Sequence, residues 1–192
     1  MLARVKYNSS DWYNDPSILP NLASELNSRT TLRVATEQSV ISLDEPNLFD
    51  YPFIFLTGHS EIKLSNLEVS NLREYLTKGG FLYVDDDYGL DKSFRQEMEK
   101  VFPGIKMEEL PFSHPIYHSF YDFLYLPKIH KHDNKPPKAY GLFYQGRLVA
   151  FYTYETNISD GWADPSVHND PKEKREEAFK FGINIIMYAL MQ

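Results

Sequence analysis

Two short runs of apolar and aromatic residues, Phe53-Ile54-Phe55-Leu56 and Phe81-Leu82-Tyr83-Val84, set the strongest limit on what this chain can fold into. Each has strand length and no polar alternation, the pattern of strands buried on both faces. Between them Ser65 stands three residues before Glu68, a capping box with Leu64 and Val69 as its hydrophobic staple. Val69, Leu72 and Leu76 then share one helical face, and Gly79-Gly80 stops the helix. Strand, helix and strand joined by so long a crossover must be parallel, with a right-handed connection.

The same logic extends in both directions. Arg4 to Tyr7 reads as a strand, Asp15 to Asn27 as a proline-started helix, and Thr31 to Ala35 as another strand. Asp91 caps a helix that carries Phe94, Met98, Val101 and Phe102 on one face and ends at Pro103-Gly104. Ile105 to Leu110 reads as a strand, and Pro127 to Lys138 as a long loop. Tyr140 to Tyr144 and Leu148 to Tyr154 flank Gln145-Gly146 as an antiparallel hairpin at the sheet edge. Asp170 caps a last helix with Pro171 at its first position and Phe179, Gly182, Ile183, Ile186, Met187 and Leu190 at helical spacing. At 192 residues the expectation is one α/β domain. It is a three-layer sandwich with a mostly parallel, flavodoxin-like sheet, plus a C-terminal hairpin and helix.

Composition removes several function classes. Twenty basic residues against 27 acidic ones give a net charge of −7 with no basic run, so nucleic acid is not expected as a partner. The absence of cysteine excludes disulfides, thiolate metal sites and every cysteine nucleophile. No apolar run approaches the ~20 residues of a membrane span, and no cleavable leader follows Met1. The chain as given therefore reads as cytoplasmic, or as periplasmic or envelope-associated if an export signal has been removed. No glycine-rich phosphate loop opens a helix, and no G-x-S-x-G elbow is present.

Parallel sheets bind ligands outside the carboxyl ends of their strands. The loops there are Asp11-Trp12-Tyr13, Gly58-His59-Ser60 and Asp85-Asp86-Asp87-Tyr88-Gly89. Three adjacent carboxylates repel one another and need a cation, backbone donors or water, although one of them can simply cap the next helix. His114 and His118 are four apart and His130 and His132 two apart, both metal-ligand spacings, while buried histidines also serve as ordinary hydrogen-bonding groups. Asp160-Gly161-Trp162 suits a flat ligand such as a sugar, and equally a loop folded onto the sheet around one tryptophan. The composite site expected is Trp12, His59, Asp85, Asp86, His114, His118, Asp160 and Trp162. Asp86 and His114 are its metal ligands, for manganese, iron or zinc.

In combination, several segments carry a resemblance. They are Arg4-Val5-Lys6-Tyr7 with Asp11-Trp12-Tyr13, Tyr51-Pro52-Phe53, Leu56-Thr57-Gly58-His59, Gly79-Gly80-Phe81-Leu82, Val84-Asp85-Asp86, Leu110 to Tyr117, Pro127-Lys128-Ile129-His130 and Asp160-Gly161-Trp162. From about Arg4 to Leu190 the sequence resembles the domain of unknown function 4159 family. The resemblance implies a prokaryotic domain similar in fold to class I glutamine amidotransferases and trehalose-utilisation proteins. Many members carry export signals and stand beside MoxR-type ATPases and von Willebrand factor A membrane proteins, which implies an envelope role. Asp85 and Asp86 stand where the amidotransferases carry their nucleophilic cysteine, so glutaminase chemistry by that route is excluded. Two functions follow as expectations. One is a small-ligand or divalent-metal site at the carboxyl edge, whose chemistry, if the protein is an enzyme, is metal-assisted hydrolysis. The alternative is a non-catalytic envelope module that binds a protein partner or glycan through its aromatic loops and the Pro127 to Lys138 segment.

Overall fold

The computed structural model describes residues 2–130, 132 and 135–192, the side chain of Ser10 excepted. Among them, seven strands form one sheet: β1 (Leu2–Lys6), β2 (Ser39–Ser42), β3 (Phe53–Gly58), β4 (Phe81–Asp86), β5 (Glu108–Glu109), β6 (Lys138–Tyr144) and β7 (Arg147–Tyr154). Their order is β2-β1-β3-β4-β7-β6-β5. The pairs from β2 to β7 are parallel, and β7-β6 and β6-β5 are antiparallel.

Helices flank both faces because each central strand is apolar on both. On one face Phe53, Phe55, Phe81 and Tyr83 pack against α1 (Ile18–Arg29) and α5 (Lys172–Met191). On the other, Ile54, Leu56, Leu82 and Val84 pack against α2 (Asn66–Thr77) and α3 (Asp91–Val101). Ser65 and Glu68 form both hydrogen bonds of the expected capping box, and Leu72 and Leu76 are buried. Each such buried leucine contributes about 1.5–3 kcal/mol through its removal from water. No helix among the described residues is long and apolar enough to cross a membrane.

Three elements depart from the sequence reading. Residues 31–35 are not a strand. The Asn27 amide both donates to Val34 O (2.8 Å) and accepts from Val34 N (2.8 Å), so this backbone is satisfied locally, and β2 forms later at Ser39–Ser42. The strand read at Ile105 to Leu110 shrinks to Glu108–Glu109. The β6–β7 hairpin is not at the edge: β7 docks in parallel on β4, pairing Asp85 with Thr153, and the two-residue β5 takes the edge instead. Smaller shifts affect helix ends, with α1 starting at Ile18 and Pro171 acting as the N-cap of α5.

Candidate functional site

Four strand exits meet at one end of the sheet. After β1, Ser9 caps a 3-10 turn over Ser10–Tyr13, and the chain continues into Asn14 and Asp15, the latter in the left-handed region (φ 44) that Asp tolerates better than most residues. Asp11 reaches across to β3, where its Oδ2 accepts from the backbone N–H of His59 and of Ser60 (2.9 Å). Gly58 makes this approach possible. Its φ is 149, and a Cβ there would overlap the Tyr7 hydroxyl and sit 2.6 Å from Asp11 Oδ2.

The three aspartates at the end of β4 diverge, since successive strand residues face opposite ways. Asp85, on the α1/α5 face and fully buried, accepts from Thr153 Oγ1 (2.6 Å), Thr156 Oγ1 (3.0 Å), Ser159 N (2.7 Å) and Ser159 Oγ (2.7 Å). It is a bracket for the chain after β7. Asp86 faces the other layer, where its Oδ1 accepts from Leu90 N (2.9 Å) and its Oδ2 lies 3.3 Å from the Tyr152 hydroxyl. Asp87, the first residue past the strand, turns into the crevice. It lies 2.8 Å from Asn14 Nδ2, 2.6 Å from Asn157 Nδ2 and 3.1 Å from His59 Nε2, whose Nδ1 is 3.5 Å from Asp11.

The exit of β7 supplies the rest. Glu155 (φ 60) and Asn157 (φ 48) adopt left-handed conformations unusual for non-glycine residues and concentrated at functional loops. Asn157 Nδ2 has four acceptors within 3.3 Å, namely Asp87 O and Oδ1, His132 Nε2 and Asp160 Oδ2, but only two hydrogens to give. Trp162 anchors the following turn: its indole is buried against Phe55 and Tyr83, and its Nε1 donates to Ala178 O (2.8 Å). A short helix, α4 (Pro165–His168), then returns His168 to the crevice.

There Asp15, Asp160 and His168 each offer one ligand atom, all within 4.8 Å of one another. His168 Nε2 is 2.7 Å from Asp15 Oδ2 and 3.8 Å from Asp160 Oδ1. Asp160 is 3% exposed, and its Oδ1 has no hydrogen-bond partner among the described residues. Burial, reinforced by the Asp87, Asp85 and Asp15 carboxylates, pushes its pKa up to about 10. Beneath the crevice lies Arg4, fully buried over the Phe55 ring; burial lowers its pKa to about 10, so it remains charged at neutral pH. Half-exposed rings form the rim, with His132 stacked on Tyr88 (4.7 Å) and 4.8 Å from His130.

The structure thus brings together His59 and Asp160 of the expected residues and disperses the others. Asp86 and His114 do not meet. The His114 ring packs between Phe143 and Tyr188 in the opposite layer, accepts from Ile116 N (3.2 Å) and has its pKa lowered by burial. His118 bonds Asp122 and the Phe112 carbonyl at the surface. Trp162 is core rather than wall, and half-buried Trp12 packs on the α2/α3 layer with Lys6 over its ring (5.7 Å). Asp15, Asp87, Asn157 and His168 stand outside the composite site expected from the sequence, although Asp87 and His168 lie in loops that the sequence singles out. Strand alternation assigns Asp85 and Asp86 to opposite faces, and Asp87 is free for the crevice because β4 ends at Asp86. Asp15 and His168 are 153 residues apart and carry no local signal.

A family model matches residues 1–190 of the chain, that of a domain of unknown function, DUF4159. No curated protein matches it.

Proposed function

We propose, on the premise that this chain belongs to the DUF4159 family, that its carboxyl edge is a divalent-metal centre that serves hydrolysis. Asp15, Asp160 and His168 are its ligands. The carrying observation is Asp160 Oδ1, a buried carboxyl oxygen without a hydrogen-bond partner among the described residues, facing a second carboxyl group and an imidazole. A buried group of this kind is stabilised by a cation, and two oxygens with one imidazole nitrogen suit manganese, iron or zinc rather than magnesium. Such an ion, when bound, supplies Lewis acidity and an activated water. The chain's own residues do the remainder: Asp85 and Trp162 hold the turn that carries Asp160, and Asn157 ties Asp160 to Asp87. His59, held by Asp87 and Asp11 at the open rim, can exchange a proton with a group entering from solvent.

The fold supports a finer likeness as well. The order β2-β1-β3-β4 agrees with the first four strands of a flavodoxin-like sheet, which supports reading the domain as amidotransferase-like without the cysteine. A non-catalytic module that binds a protein partner is the second reading, favoured by Phe112, Phe120, Leu124 and Tyr125, which are exposed within one short segment.

The test is a melting series in chelator, then in rising MnCl2 and ZnCl2. The wild type gains stability by mass action, about 2.7 kcal/mol at a hundred times Kd. Asp160→Asn and His168→Ala lose that gain, and His114→Ala keeps it. A wild-type melting temperature unchanged up to millimolar ion would overturn the metal reading and leave the binding module.

A further inference from the structure

Arg4 is the buried charge that this reading does not use. It sits in β1, fully buried, with no carboxylate within ion-pair distance among the described residues and with Nε unpartnered. Packing alone does not call for it, since an apolar side chain of similar volume in such a place is commonly neutral or stabilising. What arginine adds is a rigid fork of donors. Its Nη1 donates to Asn14 O and its Nη2 to Asp15 O (3.5 Å), two successive carbonyls of the turn that holds Asp15 left-handed. That turn aims two side chains at once, the Asn14 amide at Asp87 (2.8 Å) and the Asp15 carboxylate at His168 (2.7 Å).

We propose that Arg4 is the positioning residue of this centre: from beneath the sheet end it fixes the Asn14–Asp15 turn and, through it, both the Asp15 and the Asp87 carboxylates. This rests on the cation reading for its purpose but not for its geometry, and the experiment separates the two. In the metal-free wild type, NMR should show resolved, slowly exchanging Arg4 Nη–H signals with couplings across the bond to the Asn14 carbonyl. In Arg4→Lys, which keeps the charge and loses the fork, the Asn14 side-chain amide and the His168 ring nitrogens should move to solvent-like positions. Manganese and zinc affinity by calorimetry should fall about 10- to 100-fold, as when other outer partners of metal ligands are removed. Leu76→Ala, a destabilised control in the opposite layer, should leave those signals in place. Unmoved Asn14 and His168 signals in Arg4→Lys would overturn the proposal. So would averaged, fast-exchanging Arg4 signals in the wild type, a measurement that decides even if the variant does not fold. If the signals shift as stated but the wild type takes up neither ion, the positioning stands and the metal reading fails.

Discussion

Asp86→Asn should make this protein more stable at neutral pH while leaving its metal response intact. Burial, with the Asp85 and Asp91 charges nearby, pushes the Asp86 pKa up from 3.8 to about 6 against the favourable bond from Leu90 N. Tyr152 has a single proton for two carboxylates, and the shorter bond, 2.8 Å, goes to Asp91. Between pH 4 and 6 the folded chain therefore retains a proton that the unfolded chain has released. Stability falls as pH rises through that window, and the loss is complete above it. About two pKa units at 1.36 kcal/mol each give a ceiling of about 3 kcal/mol. An asparagine fits the same bonds, its oxygen accepting from Leu90 N and its amide donating to the Tyr152 hydroxyl. Urea unfolding should show the variant equal to wild type near pH 4 and up to about 3 kcal/mol more stable at pH 7. For a chain of this size that is roughly 6–12 °C in Tm. Asp160 titrates in both proteins and cancels in the difference, whereas Asp85, which repels the Asp86 charge, is relieved in the variant and adds to the gain. An equal effect at both pH values would show that burial does not raise the Asp86 pKa, and a deficit that grows from pH 4 to pH 7, or a lost response to manganese, would show that the ionised carboxylate is what the fold uses.

The neighbouring Asp85→Ala should do the opposite and destabilise by about 2 kcal/mol at pH 7, because the buried Ser159 N–H is left without its acceptor; a neutral or stabilising result in the same urea series counts against the bracket role. Gly58→Ala should cost about 2–4 kcal/mol through backbone strain and overlap with Tyr7, and if chemical denaturation finds under half a kcal/mol, the tight approach of Asp11 to β3 is wrong.

What the sequence made legible is what is decided locally. The runs Phe53–Leu56 and Phe81–Val84 and the box at Ser65 each carry their instruction within a dozen residues, and all three form as expected. The strand expected near Thr31 failed because a single distant-looking residue, Asn27, supplies the hydrogen bonds a ladder would have given. The candidate site was legible as a place and less so as a set of atoms. The carboxyl edge and its aspartates were visible, but which carboxylate enters the crevice is set by where β4 ends, at Asp86, a boundary that tertiary pairing fixes. The partnership of Asp15 with His168 is set by tertiary closure that no window along the chain contains.

The docking of β7 beside β4 also governs when the crevice can exist at all. A chain emerging from the ribosome can assemble β1 to β4 early, but the neighbour of β4 arrives only after more than sixty further residues, at Ala150 to Thr153. Closing so long a loop is entropically unfavourable and slow. Until then the buried edge of β4, from Leu82 to Asp85, stays open to any passing extended segment, including that of another nascent copy. Asp160 and His168 emerge later still. Premature termination anywhere between β4 and β7 should therefore yield an aggregation-prone half-sheet rather than a weakened version of the whole.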